Sequence, residues 1–102
     1  VEITTAVRSA QVNGLKVQSG QIIGLLNGEL KAAGSAIEPV IDDLLARIAA
    51  EQYDIITLYY GEDIKLADAE AVAAHIRERY ADQEIEVVDG GQPHYNYIIS
   101  AE

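Results

Sequence analysis

Apolar and polar residues alternate at the start of the chain. Ile3, Thr5 and Val7 interleave with Thr4, Ala6 and Arg8, the period of a half-buried strand. Val12-Asn13-Gly14-Leu15 follows, and Asn-Gly between apolar residues predicts a tight hairpin, because a type I′ turn needs positive φ at both central positions. The return strand is Leu15–Gln18, broken by Ser19-Gly20. A further strand over Gln21–Leu26 meets a second Asn-Gly pair, Asn27-Gly28, which leads into Glu29–Ala33. Gly24 interrupts the apolar strand and predicts a bulge or a close backbone approach. This stretch reads as a β-meander of four strands.

After Gly34-Ser35 the period changes. Ile37, Val40, Ile41, Leu44, Leu45 and Ile48 form one stripe of an amphipathic helix ending near Gln52. Ser35 and Glu38 have capping-box spacing, while Pro39 belongs in a first turn, which offers Glu38 as an alternative cap. Asp54–Tyr60 is a buried strand by its β-branched and aromatic content. A second helix spans Leu66 to Tyr80, with Ala69, Val72, Ala73, Ile76 and Tyr80 facing inward. Its acids sit early and its bases late, as the helix dipole prefers. Strands over Glu84–Val88 and Tyr95–Ser100 complete the chain. The segment 54–88 fits a right-handed strand–helix–strand crossover between parallel strands. The expected class is α+β or α/β: a mixed sheet with two helices, an N-terminal meander, a crossover and a final strand.

Composition narrows the function classes. At 102 residues the chain is one domain, and almost half its residues are hydrophobic. It contains no Met, so Val1 is not a translation start, and a piece of a longer protein is expected. Without Cys, disulfides, zinc-thiolate sites and thiol catalysis are excluded. No apolar run approaches the roughly 20 residues of a membrane span, and no signal-peptide layout opens the chain, which fits a cytoplasmic location. The formal charge is −10. Residues 1–34 hold two acids and three bases, whereas residues 35–102 hold fifteen acids and four bases. Such a surface repels nucleic acid and anionic lipid. It suits a basic protein partner, or it serves solubility alone.

Candidate chemistry converges in one place. If the strands over 54–60 and 84–88 are parallel, the loops 61–63 and 89–94 leave the same sheet edge, where open α/β sheets tend to bind ligands. Tyr59, Tyr60 and Tyr95 add aromatic surface there. No Walker or dinucleotide-binding motif is present, and Glu62, Asp63 and Asp89 would repel phosphate. These acids are suited to Mg²⁺ or Ca²⁺, but they lack a spaced ligand pattern and read equally as solvated loop acids. His94 follows Pro93 as a general base or a partner contact, whereas His75 reads as a mid-helix boundary residue. All six aromatic residues are tyrosines, which suit interfaces as well as cores. Tyr95 and Tyr97 share a strand face; Tyr59 and Tyr95 fit core or interface, and Tyr53 and Tyr80 fit the core. The surface expected to meet a partner comprises Tyr59, Tyr60, Gln92, Pro93, His94, Tyr95 and Tyr97, with no catalytic or metal-binding residue.

The stretches TTAVRSAQVNGLKVQSGQIIGLLNGEL, IITLYYGEDI and GGQPHYNYIISAE carry a resemblance that covers nearly the whole chain. They resemble the C-terminal domain of the bacterial fatty acid kinase ATP-binding subunit, in the dihydroxyacetone-kinase-like family. The most specific part is Gly90-Gly91-Gln92-Pro93 with Tyr95, Tyr97 and Ile98-Ile99-Ser100; Lys65 and Asn96 depart from the family pattern. The resemblance implies a fold similar to the C-terminal half of DegV-type proteins. It also implies a parent kinase whose ATP and magnesium sit in a separate N-terminal domain, with no cofactor here. A DegV-type fatty-acid-binding protein would be the partner, beside the parent's other domains. The rival readings are a small-molecule or enzymatic domain using 59–63 and 89–95, and a domain that packs on its parent or dimerises it.

Overall fold

The computed structural model describes residues 1–102 except 7–9 and 13, and of residues 10 and 12 the backbone alone. In chain order the elements are β1 (Glu2–Thr5), β2 (Ala10–Val12), β3 (Leu15–Val17), β4 (Ile22–Leu26), β5 (Glu29–Gly34), α1 (Ile37–Arg47), β6 (Ile55–Tyr60), α2 (Leu66–Arg79), β7 (Glu84–Asp89) and β8 (Tyr97–Ala101). Six strands form one mixed sheet in the order β5-β4-β1-β8-β6-β7, and β2 and β3 form a separate ribbon. Only β6 and β7 pair in parallel, with α2 as their connection. This is the mixed α+β sheet with two helices that the residue pattern predicts.

The N-terminal part departs from a plain meander. β1 lies between β4 and β8, and the hairpin leaves the sheet as an excursion. Two backbone bonds close its base: Ala6 N–H donates to Gln21 O at 2.8 Å, and Gly20 N–H to Ala6 O at 2.9 Å. The expected first strand therefore ends at Thr5; Val7, Arg8 and Asn13 of that reading lie outside the described residues. The first hairpin does form, with Val12 opposite Leu15 and Gly14 at φ 81°. In the second, Asn27 and Gly28 have φ of 53° and 81°, both in the region a type I′ turn requires. Gly24 supplies both effects its position suggests. The register shifts beside it, and an added Cβ would collide with Leu44 and lie 3.0 Å from Val40 Cγ1.

Helix α1 begins after Ala36, whose extended backbone (φ −130°, ψ 149°) makes it the cap without any side-chain bond. Neither Ser35 nor Glu38 caps it, and Pro39 falls in the first turn, where an amide hydrogen has no partner to lose. The helix stops at Arg47, short of the expected Gln52, because Ala49 turns left-handed (φ 53°) ahead of a 3₁₀ turn over Ala50–Gln52. The final strand likewise starts at Tyr97, two residues later than the pattern suggests, since 92–96 are held in a loop.

Both helices cover one face of the sheet. Val40, Ile41, Leu44 and Leu45 of α1 and Ala69, Val72, Ala73 and Ile76 of α2 share a single core with Ile3, Ala32, Ile56, Leu58, Ile85, Tyr97 and Ile99. The largest wholly enclosed side chains are Ile3, Ile41, Leu44, Leu45, Ile56, Leu58 and Ile76, each worth roughly 1.5–3 kcal/mol of apolar burial. Among the described residues no helix is long and apolar enough to cross a membrane.

Candidate functional site

Parallel pairing of β6 and β7 brings their C-terminal ends to one edge, with Tyr59 opposite Val88 and Tyr60 opposite Asp89. The two loops leaving this edge do meet. Gly61 N–H donates to Asn96 O at 2.8 Å, and Glu62 N–H to Gln92 O at 3.1 Å. From the other side, the N–H groups of Gly90 and Gly91 donate to Tyr60 O at 3.0 and 3.2 Å. Gly61 is required by space. An added Cβ would collide with Tyr95 O and lie 3.0 Å from Gln92 O, both backbone atoms. Gly91 is required by conformation, at φ 60°.

Gln92 braces this loop from within. Its amide nitrogen donates to Tyr59 O at 3.1 Å and to Tyr95 O at 3.4 Å. His94 adopts φ 71°, and Tyr95 N–H closes back onto Pro93 O at 2.8 Å, so His94 is the centre of the rarer, strained γ-turn. The turn is held by Thr4, whose hydroxyl donates to His94 O at 2.6 Å. The brace and the turn direct Pro93 and the His94 imidazole into solvent. No hydrogen bond or ion pair joins that imidazole to another described side chain, so no acid or nucleophile stands beside it as a catalytic pair would require.

The predicted partner residues thus separate into groups. Pro93 and His94 are exposed, and Tyr59 and Tyr95 are half-buried at the rim. Tyr60 is half-buried but packs against the core. Gln92 spends its amide on backbone carbonyls. Tyr97 is a correction. It retains 3% of its surface and belongs to the core beneath the helices, so its side chain roofs the interior rather than facing a partner. Pairing explains it: Tyr97 lies opposite Ile3 and Tyr60, on the covered face. Burial, with Asp68 adding negative potential, raises its phenol above the ordinary value.

The loop acids Glu62, Asp63 and Asp89 are exposed, and no group of three or more His, Asp or Glu is placed to hold a metal among the described residues. The concave surfaces lie elsewhere. An open cleft of about 470 Å³ is lined by Glu51, Arg79, Tyr80, Asp82 and Gln83, and a second of about 270 Å³ by Leu15, Leu30, Lys31 and Arg47. Neither includes a residue of the β6–β7 edge, which presents a raised loop.

One cluster escaped sequence reasoning. His75 Nε2 sits 2.9 and 3.0 Å from the two oxygens of Asp42, and Arg79 Nε is 3.3 Å from Asp42. His75 Nδ1 lies 3.6 Å from Glu38. The bridge joins α2 to α1, so His75 is more than a boundary residue. The signal was present as two i,i+4 pairs, Glu38/Asp42 and His75/Arg79, of complementary charge on different helices.

Comparison with known proteins agrees with this architecture. The FakA-like C-terminal family model, which describes the C-terminal part of the A-like subunit of fatty acid kinase, matches residues 1–102. The chain is 34% identical over 101 residues to Protein YloV of Bacillus subtilis (strain 168), covering 99% of the chain and 18% of that protein. It is 32% identical over 100 residues to an uncharacterized protein of Staphylococcus aureus (strain USA300), covering 98% and 18% respectively. The chain therefore spans less than a fifth of the curated relatives it matches. On this match over its whole length, the chain belongs to the FakA-like C-terminal domain family of fatty acid kinases.

Proposed function

We propose that this domain is the non-catalytic docking module of an ATP-dependent fatty acid kinase of the dihydroxyacetone-kinase-like type. It engages a DegV-type fatty-acid-binding protein, so that a nucleotide domain elsewhere in the parent phosphorylates the carrier's fatty acid to an acyl phosphate. ATP and magnesium belong to that other domain, and the reaction is cytoplasmic. The observation that carries the reading is the braced loop over 90–96. Gln92, Thr4 and Gly61 spend their bonding and space on holding this loop, and its tip offers Pro93 and His94 to solvent without a catalytic partner among the described residues. A rigid, exposed loop lowers the ordering cost of association. The family match supports the kinase parentage.

In this reading the loop supplies contacts and no proton transfer. Replacing His94 and Tyr95 by Ala in the longer protein should lower carrier-dependent kinase activity about tenfold or more, the range expected when rim and anchor contacts are removed. Circular dichroism of the isolated domain should be unchanged. Calorimetry of the domain against the purified carrier gives the direct check. Full activity of the double variant, or carrier binding by the parent with none by this domain, would remove the docking role.

A further inference from the structure

Strand register fixes what the uncovered side of the sheet carries. Leu25 lies opposite Glu2, Glu2 opposite Ile98, Ile98 opposite Tyr59, and Tyr59 opposite Val88. This row crosses β4, β1, β8, β6 and β7 on the face away from Ile3, Tyr97, Leu58 and both helices. Its apolar members are half-buried against one another, and Val88 keeps 38% of its surface exposed. Strands β4, β6 and β8 are apolar on both sides, as in Ile22-Ile23, Ile55-Ile56 and Ile98-Ile99. That is the composition of strands buried on both faces, whereas a solvated face alternates to polar residues. Yet the buried residues of both helices all join the core of the other face.

Charge decides what fits. The charged residues that register places on this side are Glu2, Glu84 and Glu86, and the five strands contain no Lys, Arg or His. The surface is continuous with the loop described above. Thr4, from the same face, holds His94 O, and Gly90 sits where an added Cβ would be 3.1 Å from Tyr59 Cβ.

We propose that this open face is a protein-docking surface whose occupant presents apolar side chains ringed by lysine or arginine. The inference rests on the docking reading and extends it from the loop onto the sheet. A second copy is the poorer occupant, because it would set these glutamates against their counterparts in chains of charge −10 each. Nucleic acid and anionic membranes are repelled for the same reason.

The test is an amide NMR titration of the labelled domain with two amphipathic peptides of equal leucine content, one with lysine at its polar positions and one with glutamate. The lysine peptide should move the signals of Leu25, Tyr59, Val88 and Ile98, and the glutamate peptide should not. V88K, at an exposed edge position, should weaken the lysine peptide about tenfold with the fold retained, and E86K serves if V88K misfolds. Shifts confined to the outer side of α2, unchanged affinity in the folded variant, or a concentration-dependent dimer through these same signals would each overturn the proposal. The DegV-type carrier is titrated in parallel. If it binds but maps elsewhere, the open face is wrong and the docking reading stands. If it fails to bind while the lysine peptide maps to the row, the carrier reading is wrong and the open face stands.

Discussion

Gly61 sits where β6 ends beneath the carbonyls of Gln92, Tyr95 and Asn96, and no side chain fits there. Gly61→Ala should cost about 2–3 kcal/mol, since the atoms in the way are backbone and the loop must lift. Urea denaturation measures the loss, and the His94 signal should shift with it. Tyr97 gives a pH prediction. Its phenol titrates above the ordinary value because burial, then Asp68, disfavours the phenolate. Above about pH 10 the unfolded chain therefore ionises first, and stability falls as pH rises toward the folded value. Tyr97→Phe should flatten that alkaline decline, as followed by melting temperature between neutral pH and about pH 11. Its burial also shows the limit of alternation. The pattern assigns Tyr97 to one strand face, but only the pairing with Ile3 and Tyr60 puts that face beneath the helices.

Among the elements, the helices and most strands were legible because each has its own period and its own punctuation. Asn27-Gly28 turns the chain with two positive φ angles whatever surrounds it. The stripe of α1 ends where Ala49 goes left-handed, which no local residue type announces. The bridge between the helices was illegible for a different reason: Asp42 and His75 are 33 positions apart, and only the packing of both helices on one face brings them together. A double-mutant cycle on His75→Ala and Asp42→Ala should give a coupling of about 0.5–1 kcal/mol, modest because both side chains remain partly exposed. A coupling near zero would reduce the bridge to incidental proximity.

For the molecule as a whole, the acidic excess of residues 35–102 and the tyrosine-only aromatic content were plain in the composition, and both favour a partner surface. Local pattern was enough for the element order, the parallel edge and the meeting of the two loops, because periodicity, turn chemistry and a strand–helix–strand spacing act over short range. The family likewise followed from motifs within single segments and holds over the whole chain. Long-range packing supplied what remained. It inserted β1 between β4 and β8, sent the first hairpin out of the sheet and drew Tyr97 inside. It turned Gln92 into a brace and left Leu25, Ile98, Tyr59 and Val88 in one row on an uncovered face. Which face is covered depends on where distant helices dock, and period-two alternation is symmetric between the two faces.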